Sequence, residues 1–184
     1  KTGINTVVAS GGVFMNVKVN KLIVDNPNVD KFFVFPSSGD ESNAFGACFY
    51  GFKKLYPENI PEPIKDLYLG PSFSPDYIDK TKGMVVARFA GKSEWGARAL
   101  GNRSILADPS NKNTVEKINK MIKNRDFWMP FAPTIISERA IDYLVNPKGM
   151  DSAYMMLAFD STSLARRDLK AAMHPYDFTL RPQI

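Results

Sequence analysis

The run Gly91-Lys92-Ser93-Glu94-Trp95-Gly96-Ala97-Arg98-Ala99-Leu100-Gly101-Asn102-Arg103-Ser104 holds the densest chemistry in the chain. Its glycines let the main chain wrap a compact ligand, while Lys92, Arg98, Arg103 and the hydroxyls of Ser93 and Ser104 supply donors. A guanidinium presents a planar fork to two phosphate or carboxylate oxygens, and an ammonium adds a movable point charge. These residue types at this spacing point to an anion site. A solvated basic loop is the alternative, but Trp95, Ala99 and Leu100 in the same run seek burial. Lys120, Lys123 and Arg125 follow downstream and would add positive charge if their helix docks beside the loop.

Other candidates stand further apart. Ser10-Gly11-Gly12 follows a β-branched run, so its backbone N–H groups could approach an anion or nucleotide, or it could simply make a tight turn. Asp40, in Pro-Ser-Ser-Gly-Asp-Glu-Ser-Asn, lies where a strand has ended and a helix has not begun. A metal ligand, a proton acceptor and a helix N-cap are all open to it. Phe127-Trp128-Met129-Pro130-Phe131-Ala132-Pro133 could stack a base or pack a core. His174, with Tyr176, Asp177 and Arg181, is either a polar cluster or a surface loop.

The charge balance supports an anionic partner. The chain carries +5 overall, yet residues 88–125 hold nine basic side chains against Glu94, Asp108 and Glu116. That segment therefore contains all the excess. Its arginines lie in a glycine loop and not along one helix, so a small anion is expected ahead of nucleic acid. A length of 184 residues with 44% apolar and 12% aromatic content describes a globular chain of one domain or parts of two. No apolar run approaches a membrane span, and no secretory signal opens the sequence. The single Cys48 excludes a disulfide framework within one chain and fits a reducing, cytoplasmic setting.

Elements that would position these residues can be read from periodicity. Strands are expected at 6–10, 31–35, 84–90, 105–107 and 153–159; helices at 13–24, 42–56, 113–123 and 138–144, the last N-capped by Ser137. Pro57, Pro61, Pro63, Pro71 and Pro75 argue against regular structure between two units. Mixed strands and helices make the class α/β, or α+β overall.

The run from Gly91 to Pro109, with Ile118-Asn119, Ile122-Lys123 and Pro130-Phe131-Ala132-Pro133, resembles the signature of the O-carbamoyltransferase family, which includes nodulation-factor, cephamycin-type and aminoglycoside-type enzymes. Ser10-Gly11-Gly12-Val13 with Asn16, and Pro36 to Gly46, look like further motifs of that family. The resemblance implies an actin/Hsp70-like domain ending within residues 1–70, a link over 71–82, and the start of a YrdC-like domain over 83–184. It implies ATP-dependent transfer of a carbamoyl group from carbamoyl phosphate, through carbamoyl adenylate, to a hydroxyl of a small molecule or sugar. Mg²⁺ and Fe²⁺ would accompany ATP as cofactors.

By the same resemblance, Asp40 is a metal ligand, and Gly11, Gly12 and Asn16 edge a nucleotide site. Lys92, Arg98 and Arg103 are the catalytic cations, with Ser104, Lys123, Arg125, His174 and Arg181 binding carbamoyl phosphate and ATP. The family's paired histidine ligands would precede Lys1, and more of the YrdC-like domain would follow Ile184, so this piece alone is expected to be inactive. Ala97 stands where the family usually has Pro, and Met129 where an Arg often precedes Pro-Phe-Ala-Pro. His174 is followed by Pro-Tyr-Asp-Phe-Thr in place of the commoner Val-Asp-Gly-Thr. A threonylcarbamoyl-type tRNA-modifying enzyme and a non-catalytic phosphate-binding module are the alternative readings.

Overall fold

A computed structural model describes residues 3–73, 85–126 and 128–184 of the chain. Most of the 71–82 link, the start of the 84–90 strand and Phe127 lie outside the described residues.

The first unit is a parallel β-α-β crossover. Strand β1 (Thr6–Ala9) pairs with β2 (Lys31–Val34) in the register Val7↔Phe32 and Ala9↔Val34, and α1 (Val17–Asp25) connects them. Side chains alternate across the sheet, so Ala9, Phe32 and Val34 are buried while Val8 and Phe33 stay exposed on the opposite face. Helix α1 starts later than its apolar spacing suggests. Gly12–Met15 is a 3-10 turn, and the Asn16 side chain caps the helix by accepting from the N–H groups of Lys18 and Val19. Helix α2 (Asn43–Leu55) follows β2 and has no buried residue.

Beyond the proline-rich segment, β3 (Ser72–Phe73) pairs antiparallel with β5 (Gly91–Lys92), and β4 (Val86–Phe89) with β6 (Arg103–Leu106). The β4–β6 ladder brackets the glycine-rich loop. Helix α3 (Asn113–Ile118) runs into a π-helical turn at Asn119–Lys123, stopped by Asn124 at φ 44°. Asn tolerates that left-handed conformation better than most residues.

Two expectations need correction. Ser137 does not cap a helix: it lies inside a 3-10 turn that begins after Ile136 and leads into α4 (Ala140–Tyr143). Residues 153–159 do not form a strand. Met155 sits at φ 57°, which interrupts extended backbone, and only Phe159 bridges, to Leu180. Their apolar run reflects complete burial from Met155 to Phe159. Strand β7 (Leu144–Val145) pairs instead with β8 (Asp160–Ser161). Helix α5 (Ser163–Asp168) is an added element, N-capped by Thr162, whose Oγ1 accepts from the Ala165 N–H.

One core spans both halves of the chain. Ala9, Phe32 and Val34 pack with Ile135, Leu144, Leu157, Phe159 and Leu180. Polar ties reinforce that contact. Asn20 is fully buried on α1, and its Nδ2 donates to the carbonyls of Phe14 (2.8 Å) and Met156 (2.7 Å). Lys148 closes the end of α1, where carbonyls lack helical partners, by donating to Val24, Asn26 and Val29 oxygens. Among the described residues no helix is long and apolar enough to cross a membrane.

Candidate anion site

The loop from Glu94 to Arg103 is organised around a buried carboxylate. Glu94 Oε1 accepts the N–H groups of Leu100 (2.9 Å), Asn102 (2.7 Å) and Arg103 (3.1 Å), while Oε2 accepts from Arg103 Nε (2.7 Å). The Glu94 side chain has no exposed surface. Burial alone would raise its pKa, but the Arg103 guanidinium and the backbone donors outweigh that and hold it at about 2. Charge and geometry thus fold the glycine-rich run into a fixed shape. Gly91, Gly96 and Gly101 adopt positive φ, which the tight reversals require.

A cavity of about 640 Å³ opens beside this loop. Arg98, Arg103, Ser104, Arg125 and Arg181 line it, as does Arg88, one of the nine basic residues of the 88–125 segment. Asp108 is its one acidic wall residue among the described residues. Not all of these cations are equally available. Arg103 is engaged by Glu94 through Nε and a bond to the Glu94 carbonyl. Arg88 Nη1 donates to the Gly101 carbonyl (2.6 Å) and Asn102 Oδ1 (2.7 Å).

Arg98, Arg125 and Arg181 form no ion pair among the described residues. Burial lowers the Arg98 pKa, with repulsion from Arg125 adding to it. Burial also lowers the Arg181 pKa to about 10, helped by Arg98 and Arg125. The Nε of Arg181 is buried without a hydrogen-bond partner. Half-buried cations that repel one another, one of them with an orphan donor, are poorly satisfied until an anion reaches them. Arg125 otherwise contacts Met129 Sδ (3.4 Å) and lies 5.4 Å from the Phe131 ring centre. Ser104 Oγ accepts from the Gly101 N–H (2.9 Å) and keeps its own proton for a ligand.

The remaining candidates lie elsewhere. Lys92 is exposed outside the cavity wall, and the Lys123 side chain is outside the described residues. Lys120 is exposed and paired with Glu116. His174 joins Asp177 (3.2 Å) and Lys18 (3.5 Å), and its pKa is lowered by burial and then by Lys18. Gly11 and Gly12 shape an exposed turn, and Asn16 spends its side-chain oxygen on the α1 cap. Asp40 is exposed in the turn before α2 and makes no side-chain cap. Among the described residues no three His, Cys, Asp or Glu side chains converge, so Asp40 does not by itself constitute an iron site.

Two residues that build the site were missed as candidates. Glu94 was legible as the lone acid inside a basic loop, a pattern that marks an internal counter-ion. Ser37 gave no signal: it is buried, with φ 55°, and its Oγ accepts from the Ala97 N–H (3.0 Å) across the two halves of the chain.

Comparison with known sequences adds independent information. The family described as "Carbamoyltransferase C-terminus" matches residues 79–184. An uncharacterized protein of Methanocaldococcus jannaschii is 32% identical over all of this chain and 34% of its own length. The nodulation protein NolNO of Sinorhizobium fredii is 28% identical, covering 99% of this chain and 31% of its own. The nodulation protein NolO of Bradyrhizobium diazoefficiens is also 28% identical, over 99% and 38%. The chain spans about a third of the length of these relatives.

Proposed function

The chain belongs to the carbamoyltransferase family, and we propose that its arginine-lined cavity binds the phosphate groups of carbamoyl phosphate and ATP. The carrying observation is that Arg98, Arg125 and Arg181 line one cavity and, among the described residues, form no ion pair, and that the Arg181 Nε has no hydrogen-bond partner there. In the whole protein the reaction is ATP-dependent O-carbamoylation, with a carbamoyl adenylate as the transferred form and a hydroxyl of a small molecule or sugar as acceptor. On this reading the parallel β1–α1–β2 unit ends an actin/Hsp70-like domain, and residues from about 83 onward begin a YrdC-like one.

Each side chain then has a task. Arg98, Arg125 and Arg181 offset charge on phosphoryl oxygens as anhydride bonds break and form. Ser104 donates its hydroxyl proton to a phosphate oxygen. Arg103 and Glu94 hold the loop that carries Arg98. Phe131 and the apolar wall exclude water from a reactive mixed anhydride. Mg²⁺ would arrive with ATP; Asp40 would serve as one ligand of an iron completed from outside the described residues.

Carbamoyl-phosphate-dependent exchange between ATP and pyrophosphate, measured on the full-length protein, tests this half-reaction. Exchange that disappears with Arg98→Ala supports the assignment, and an intact protein with no exchange refutes it.

A further inference from the structure

The wall of the cavity does not belong to the glycine-rich loop alone. Ser37 lies on the turn between β2 and Asp40, in the other half of the chain, yet its Oγ accepts the N–H of Ala97 at 3.0 Å. The same hydroxyl donates to the Glu41 carboxylate. Ser37 is 5% exposed and takes φ 55°, a left-handed conformation uncommon for a residue with a side chain. Opposite it, Gly96 has φ 104°, and a Cβ there would lie 2.8 Å from the Ser37 Cβ. Contacts on both sides seat this junction. Phe35, Phe45 and Trp95 stack edge to face, with Phe45 and Trp95 centres 4.5 Å apart, and the Trp95 N–H donates to the Leu67 carbonyl at 2.7 Å. Ser37 and Arg98 also share a second, small gap with Pro36 and Trp95, so Arg98 stands between the large cavity and the Ser37 turn.

We propose that Ser37 is a positioning residue for the anion site: its hydroxyl fixes the Gly96–Ala97 peptide, one residue before Arg98, and thereby aims that guanidinium into the cavity. The proposal rests on the anion-site reading above. It makes the turn leading to Asp40 part of the phosphate site, although no atom of that turn needs to touch the ligand. At Ser37 a left-handed backbone that disfavours a side chain coincides with a hydroxyl that accepts the Ala97 N–H.

That conflict between backbone preference and hydrogen bonding supplies a test that separates positioning from bulk stability. Ser37→Gly relieves the left-handed backbone but deletes the hydroxyl. Inorganic pyrophosphate binding is measured by titration calorimetry alongside thermal unfolding, on wild type, Ser37→Gly and Ser37→Ala. The expected result is affinity weakened about fivefold in both variants, the worth of one hydrogen bond, while Ser37→Gly melts no lower than Ser37→Ala. Affinity in Ser37→Gly equal to wild type overturns the positioning role and leaves the anion site standing. Loss of affinity that merely follows the melting temperature across the variants overturns it as well. Wild type that fails to bind pyrophosphate overturns the site reading, and the role of Ser37 with it.

Discussion

Arg98 and Arg181 come from opposite ends of the second half of the chain and face one cavity, and the Arg98 charge adds to the burial that lowers the Arg181 pKa. The sign of the linkage follows from the direction of the shift. A cation whose folded pKa lies below its unfolded value binds its proton less tightly when folded, so the charge opposes folding at every pH below about 10. Arg181→Met should therefore raise the melting temperature of the ligand-free chain while removing polyphosphate binding. Differential scanning calorimetry with and without pyrophosphate, at matched ionic strength, checks both; a variant that is less stable and still binds contradicts the assignment.

Glu94 has the opposite linkage. Its carboxyl is held at about 2, well below the ordinary value of 4.5. Its contribution is fully present above about pH 4.5 and is lost as pH falls from there toward 2. The shift corresponds to roughly 3 kcal/mol as an upper figure. Glu94→Gln should lower stability at neutral pH by an amount of this order and flatten the acid limb of the pH–stability curve. Urea unfolding at several pH values between neutral and acid measures it, and a parallel downward offset with unchanged pH dependence would contradict the ionic role.

Lys148 joins the two halves of the chain by donating to three carbonyls around the end of α1. Lys148→Met keeps the apolar stem and deletes the donor, leaving those carbonyls to find other partners. Stability should fall by about 1–3 kcal/mol, with amide hydrogen exchange rising first at the C-terminal turn of α1. Uniform acceleration across the chain would show instead that the bond acts on global unfolding and not on local opening at the end of α1.

Asn20 makes a sharper chemical distinction. Its amide nitrogen donates to two carbonyls at a fully buried position. Asn20→Asp replaces that donor with a carboxylate that repels both oxygens, so it should destabilise more than Asn20→Ala, which costs about 1–3 kcal/mol. Equal losses in the two variants, measured by denaturant titration, would contradict the donor role.

The first unit was legible because its signals agree: β-branched or aromatic runs ended by Gly or Pro, with a helix between. The anion loop was legible from composition, since glycines and arginines at that density have few other uses. Its internal architecture was harder to see. Arg98 and Arg103 look alike in the sequence, but Glu94 pairs with Arg103 alone, whereas Arg98, Arg125 and Arg181 form no ion pair among the described residues. Their assembly depends on tertiary contacts that periodicity does not encode. The misread segment at 153–159 has a similar cause: complete burial produces an apolar run whether the backbone is extended or irregular, and Met155 turns it. Helix α5 was signalled by its Thr162 cap, but six residues give too little periodicity to stand out.

The most direct measurement observes the orphan donor itself. With arginine side chains labelled in nitrogen-15, the Arg181 Nε–H resonance is followed as carbamoyl phosphate is added to the chain. The anion-site account predicts a saturable shift of that resonance and slower exchange of its proton with water, both abolished by Arg98→Ala. A resonance that stays unmoved while carbamoyl phosphate binds elsewhere, or shows no binding at all, would contradict the account.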